Sequence, residues 1–381
     1  MIFEFKMKRA SARSMQGMSL VEIMVAVVIG LLGMIIISQV YSVSEERKRT
    51  TSGVGDAQVT GNISMFFLER ELKLAGFGMV SQSGNMLGCA TTAYDGLRAT
   101  PNLAFPAMAP VQIAVGVAGA PDQITLIYGS SATAVDGAAF RANATNIPFP
   151  LVNAGGFSLG DLVVVSEAGN CAVAEVTGFT VAAPNDVEHG VGAAYTYTDT
   201  SSQVINATAR HNAPGGIFPI TTAARLYSLG RNPVVKSYSV VNDKLMSQSL
   251  FPYDSTQDPD NDGWTDAEIA DGVVQLKAQY GKDTNADGIV DLWNVTTPAN
   301  ANEWFQLRAV RVALVARSGQ FEKTAVTADC IAPNNPPNSV FWSGGCFTMT
   351  DPADGTNWRQ YRYRVYETVV PLRNLIWSAD P

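Results

Sequence analysis

The sequence predicts an α+β protein, in which a long N-terminal transmembrane α-helix packs on an antiparallel β-sheet and leads into a large β-rich exported domain. Three observations carry this prediction. Residues Ile23 to Ser44 form an uncharged, mostly apolar run of 22 residues. As a helix rising ~1.5 Å per residue it reaches roughly 33 Å, enough to cross the hydrocarbon core of a bilayer. Met65, Leu68, Leu72 and Ala75 then recur at helical spacing. From residue 79 onward the apolar residues come in short β-branched runs bounded by Gly, Asn, Pro and Ser, with neither strand–helix alternation nor a fixed-period repeat.

Ahead of the apolar run, residues 1–17 carry Lys6, Lys8, Arg9 and Arg13 against Glu4. Positive charge there holds that end in the cytoplasm, so the rest of the chain crosses to the outside. No small-x-small site follows Ser38 convincingly enough to mark a signal peptide cut after the apolar run. The chain has a formal net charge of −8, and without its first 17 residues −11. An acidic exported part argues against nucleic acid as a partner. Charged residues make up only 16% while Gly, Ala, Thr, Asn and Ser abound, a composition that suits a β-rich exported protein better than a cytosolic enzyme.

Glu22 stands near the head of the membrane segment, residues 18–44. A charge at mid-bilayer costs about 2.5–3.5 kcal/mol, and less near the end. A plain anchor has no need of it, so Glu22 is a candidate functional residue. A buried carboxylate needs a cationic partner.

Glu45, Glu46, Arg47, Lys48 and Arg49 mark where the helix emerges into water. Gly53 and Gly55 are expected to loosen or break it. A second helical stretch runs from about Asp56 to Ala75, covers one face of a sheet, and ends at Gly76 and Gly78. Strands are predicted over 123–128, 162–165, 173–177, 224–229, 236–241, 244–248, 273–280, 308–316 and 361–370. Ala168-Gly169-Asn170 and Asn242-Asp243 read as hairpin turns. Residues 130–154 and 182–216 read as surface loops.

Four cysteines in an oxidising compartment predict two disulfides. Spacing does not settle the pairing. Cys330–Cys346 closes a short Pro/Asn/Gly-rich loop and is the first choice, which leaves Cys89 with Cys171. No C-x-x-C pair points to redox or zinc chemistry. The two histidines, His189 and His211, fall in the predicted loops and are expected to be solvated. They have no nucleophile or metal-ligand partner in pattern, and no phosphate-binding G-x-x-x-x-G-K-[ST] is present. The chain is therefore read as a non-enzyme.

Two acidic stretches within 258–294 carry calcium-loop spacing. Asp258, Asp260, Asp262 and Asp266 occupy positions 1, 3, 5 and 9, with Gly263 at position 6 and the Trp264 carbonyl at 7. Calcium takes 6–8 hard oxygens, and the glycine permits the turn that gathers them. Position 12 is Ile269 in place of the usual glutamate, so Glu268 or Asp271 would have to substitute. Asp283, Asn285, Asp287, Ile289 and Asp291 repeat the pattern with Gly288 at position 6 and Asn294 at 12.

Gly17 followed by Met18, with Glu22 as the fifth residue after the junction, resembles the processing site of type IV pilins and pseudopilins. Glu69-Arg70-Glu71-Leu72-Lys73-Leu74-Ala75-Gly76-Phe77-Gly78, the run Val274 to Gly281, Tyr361 to Tyr366, and Val370-Pro371-Leu372-Arg373-Asn374 resemble the PilW group of minor pilins. Residues 85–231 match no group. The resemblance implies that residues 1–17 are a leader removed by prepilin peptidase, and that Met18 becomes an N-methylated terminus. It further implies that Glu22 pairs with a neighbouring subunit's terminal amine. Met18 replaces the phenylalanine usual in major pilins. Residues 18–78 would then form the helix and 79–381 the exported domain. The implied function is initiation of assembly at the tip of a type IV pilus, with other minor pilins, the major pilin and a large tip adhesin as partners; whether such a pilus serves twitching motility, DNA uptake or adhesion is not written in the sequence. The implied location is a single pass through the inner membrane with a periplasmic C-terminal domain, then the pilus. A minor pseudopilin of a type II secretion system and a tip adhesin or binding module are the alternatives.

Overall fold

Ser19 starts the long helix, Leu20–Leu74, by capping it reciprocally with Glu22. The Ser19 Oγ accepts the Val21 N–H at 3.3 Å, and the Ser19 N–H donates to Glu22 Oε2 at 3.0 Å. This is the Ser-x-x-Glu capping box, which satisfies donors that a helix start leaves open. The computed structural model describes residues 18–79, 86–131, 137–144, 147–199, 201–259, 262–331 and 335–376. The expected leader and Gly17 lie outside these residues, as does Asp260. Two compact units divide the chain, one ending at Gly53 and one running from Val54.

In the first unit the helix is apolar and exposed on every side. Leu20–Glu45 is long enough to cross a membrane, and an 18-residue window within it has a mean hydropathy of 2.9 with none of it buried. Two of its serines turn back on the helix itself. Ser38 Oγ donates to the Ile35 carbonyl at 3.0 Å and Ser42 Oγ to that of Ser38 at 2.9 Å, which satisfies these two hydroxyls where hydrocarbon offers no partner.

Helical hydrogen bonding continues through Gly53 and Gly55, so the expected break is not there. Each glycine costs about 1 kcal/mol relative to alanine, less than re-nucleating a helix on its far side. The glycine that packing uses is Gly61. A Cβ there would fall 1.9 Å from Cε2 of Tyr366, whose hydroxyl donates to the Gln58 carbonyl at 3.1 Å.

In the second unit Met65, Leu68, Leu72 and Ala75 are buried as the spacing predicted. They belong to one core with strands of two antiparallel sheets. One sheet orders Leu292–Asn294, Val273–Lys282, Leu307–Arg317 and Tyr363–Pro371 side by side. The other runs Thr265–Asp271, Lys244–Phe251, Val234–Val241, Gln123–Tyr128, Val111–Ala114. The helix ends at Gly76 and Gly78, both with positive φ (78° and 71°). Asn374 closes this end by donating its side-chain amide to the carbonyls of Leu74 and Ala75 at 3.3 and 3.1 Å. Asn242 and Asp243 make the left-handed turn expected of the hairpin they join.

The region between these elements builds a third sheet. Ala90–Tyr94, Asn170–Glu175, Leu162–Glu167 and Arg225–Gly230 lie adjacent in that order. A separate core of Phe140, Phe149, Leu151, Val163, Val187 and Leu226 sits on it. Ala90–Tyr94 runs parallel to Asn170–Glu175, a departure from the all-antiparallel expectation. A parallel pair needs a long crossover, and the intervening chain from 95 to 169 supplies it. The structure joins Cys89 to Cys171 at the start of this pair, and Cys330 to Cys346 elsewhere.

Two loop expectations are corrected. Residues 182–216 contain strands Ala183–Glu188, Ala194–Thr198 and Val204–Thr208, and 130–154 contain the short strands Ala138–Ala139 and Phe149–Pro150. Small residues and polar β-formers blur the alternation that announces a strand, and cross-strand pairing supplies what propensity does not. The histidines are not solvated either: His189 is 6% exposed and His211 5%. A flat imidazole can be buried by stacking, and His189 lies on the Phe149 ring with centroids 3.8 Å apart.

Burial pushes the His189 pKa down to about 4. An unfolded histidine binds its proton near pH 6.5, so the unfolded chain gains the proton first as pH falls. Stability present above pH 6.5 is then lost between about pH 6.5 and 4, by about 3 kcal/mol. Denaturant midpoints at pH 7 and pH 4 should differ more for the native chain than for His189→Phe. Equal differences would refute the assignment.

Candidate functional site

Three groupings of polar side chains carry chemistry that a packed core does not need. The first is the helix head. Met18 is exposed, and Glu22 has its Oε2 engaged by Ser19, while Oε1 has no hydrogen bond to another described residue. One carboxylate oxygen is thus committed to the cap and one is open to a cation.

The second comprises the two acidic loops, which repeat the same side-chain-to-backbone hydrogen bonds at their described positions. Asp258 Oδ1 and Oδ2 accept the N–H groups of Asp262 and Gly263, both at 3.1 Å. Asp283 Oδ1 and Oδ2 accept those of Asp287 and Gly288 at 3.2 and 2.9 Å. Asp262 accepts from Trp264, and Asp287 from Ile289, each at 2.8 Å. Gly263 and Gly288 take φ of 88° and 83°, a left-handed turn that a side chain would strain. The predicted spacing therefore corresponds to a repeated turn.

After position 7 the loops diverge. Asp266 lies in a strand and accepts from Gln248 Nε2 at 3.0 Å, whereas Asp291 turns to Thr284. Glu268 holds Lys244 at 2.6 Å and Asp271 accepts the Gly272 N–H, so neither closes the first loop. Asn294 accepts the Thr296 N–H instead of closing the second. Among the described residues no three His, Cys, Asp or Glu side chains gather into a group able to hold a metal. Asp283 already has a positive partner, since Arg308 Nε lies 3.0 Å from its Oδ2. Burial pushes that carboxyl up, but the Arg308 and backbone N–H bonds outweigh it and hold the pKa below the usual range.

The third grouping is a buried charge network that sequence reading missed. Arg98 Nε donates to Asp95 Oδ2 at 3.0 Å, with side chains only 2% and 0% exposed. Arg98 also donates to the carbonyl of Leu250 at 2.6 Å and to that of Gly263 inside the first acidic loop. Its guanidinium lies 3.8 Å over the Tyr253 ring, and the Tyr253 hydroxyl donates to Asp258 at 2.9 Å. Nearby, Glu175 accepts from Tyr195 Oη at 2.6 Å and from the N–H groups of Arg210 and His211. His211 accepts from Arg210 Nε at 2.9 Å through Nε2, so its Nδ1 carries the proton and donates to the Tyr94 carbonyl at 3.0 Å. The D-x-x-R spacing of Asp95 and Arg98 was the sole local hint of this cluster.

Residues 235–374 match the family model of the type IV pilus-assembly protein W, PilW. A search of curated proteins finds no match. Among solved structures, the chain is similar to a type IV-like pilin, TTHA1219 from Thermus thermophilus, at 10% identity and a TM-score of 0.31. That similarity covers 84% of this chain and 96% of the other.

Proposed function

We propose that this chain, whose residues 235–374 match the family model of the type IV pilus-assembly protein W, is a minor pilin that helps initiate pilus assembly and sits at the pilus tip. The observation that carries the reading is the exposed apolar helix headed by a carboxylate with one free oxygen. In this proposal prepilin peptidase cuts after Gly17 and methylates Met18. The Met18 amine of one subunit then meets Glu22 Oε1 of its neighbour in the inner membrane. Other minor pilins, the major pilin and a tip adhesin are the partners, and residues 54–376 work outside the cytoplasm as a structural part rather than an enzyme.

Glu22→Ala tests this directly. Processing at Gly17 should persist, while pilus number falls about tenfold or more, because breaking a desolvated pair strands its other member at about 3–5 kcal/mol. Full piliation with normal processing would refute the pairing.

We further propose that the acidic loops take calcium. The donors are all oxygens, the turn is the one such loops require, and exported proteins meet calcium at roughly millimolar levels. Asp258, Asp262 and the Trp264 carbonyl would hold it in the first loop, joined by Asp260 and Asp266, and Asp283, Asn285, Asp287, Ile289 and Asp291 in the second. Arg308 already balances Asp283, so the first loop should bind more tightly. Calorimetric titration should give heat that Asp260→Ala with Asp287→Ala abolishes. No heat from the native chain would remove the idea.

A further inference from the structure

Sheet edges expose unpaired N–H and C=O groups, and proteins blunt them with charge, proline or short length. Among the described residues, four edge strands have five or more residues. Thr265–Asp271 carries Asp266, Glu268 and Asp271, and Tyr363–Pro371 carries Arg364 and Glu367. The remaining two are Ala194–Thr198 and Val204–Thr208, which pair only with each other in a two-stranded sheet. Neither has a charged residue or a proline.

The register shows which groups are open. Asp199 donates to the Gln203 carbonyl and Ala209 to that of Ala193. Antiparallel pairs alternate between bonded and non-bonded. The backbone groups of Val204, Asn206 and Thr208 therefore point away from the hairpin, and none of them bonds to another described residue. The side chains of the same three residues are exposed, Val204 at 66%. Tyr195, Tyr197, Ile205 and Ala207 are half-buried on the other face. Arg231 covers Tyr197 at 4.0 Å, so the hairpin is braced from behind.

We propose that the Val204–Thr208 edge pairs with the same edge of a second copy, extending the hairpin into a four-stranded antiparallel sheet. The edge is self-complementary about Asn206. Asn206 of one copy faces Asn206 of the other, Val204 faces Thr208, and each facing pair exchanges both backbone bonds. Charge points to a second copy as well. The chain is acidic overall at −8, and two copies repel wherever acidic surface meets, whereas this edge brings no charge to the contact. The exposed Val204 is covered in the process. The contact is small, well under the roughly 800 Å² per partner of a stable complex, so it forms between copies held at high local concentration in a membrane. It goes beyond the pilus role and can succeed or fail independently of it.

The test uses the full chain in its native membrane with Asn206→Cys. Mild oxidation should give a disulfide-linked homodimer, because facing residues in such a pair lie about 5.5 Å apart at Cα, within disulfide reach. Adding Val204→Pro removes an outward N–H without touching the hairpin's own bonds and should cut the dimer about tenfold. Thr196→Cys, on the opposite edge, should stay monomeric. Retention of both native disulfides reports folding. If Asn206→Cys does not fold, co-expressed Val204→Cys and Thr208→Cys chains should crosslink to each other and not to themselves. No homodimer, equal dimer at Thr196→Cys, no effect of Val204→Pro, or capture of only a different protein would each overturn the pairing.

Discussion

Arg98→Ala should destabilise the second unit by about 3 kcal/mol, the lower end of the 3–5 kcal/mol range for stranding a buried charge. Asp95 is fully buried, and Arg98 is the group that neutralises it at hydrogen-bond distance. Arg210 lies 3.8 Å away and compensates in part, which sets the lower figure. The loss spreads further because Arg98 also bonds the carbonyls of Leu250 and Gly263, 152 and 165 residues along the chain. It thereby ties the N-terminal part of the β-rich unit to the first acidic loop. Arg98→Met with Asp95→Leu removes both charges and keeps apolar volume, so it should recover most of the lost stability. Denaturant unfolding of the full chain in detergent measures both. A cost under about 1 kcal/mol for Arg98→Ala would show that solvent reaches Asp95.

Removing the Cys89–Cys171 disulfide should cost about 2–5 kcal/mol, near the top of that range on loop closure alone. The bond spans 82 residues, against 16 for Cys330–Cys346, and the longer loop leaves more freedom to the unfolded chain once opened. It also anchors the parallel pair, where Thr91 faces Cys171 and the Thr92 hydroxyl donates to the Cys171 carbonyl at 3.2 Å. Both cysteines are buried, so alanine is the right replacement because it buries no hydroxyl. Cys89→Ala with Cys171→Ala should lower the unfolding midpoint more than Cys330→Ala with Cys346→Ala. A loss below about 1 kcal/mol would show that the parallel strands hold without the crosslink.

Features written in short-range pattern could be read directly from the residues. The membrane helix shows as 22 uncharged positions, the packed face as Met65, Leu68, Leu72 and Ala75, and the hairpin as Asn242-Asp243 between β-branched runs. The acidic turns show as aspartates two apart ahead of a glycine. In each case the partners lie within a few residues, so backbone geometry leaves its period in the order of side chains. What folding alone resolved has partners far away in the chain. Whether His189 meets water or Phe149, where Arg98 finds its carbonyls, and why Gly61 must lack a side chain all depend on residues 40 to about 300 positions distant. Such contacts are made by packing, which no local periodicity records, because the same short segment can be buried or exposed according to what the rest of the chain lays against it.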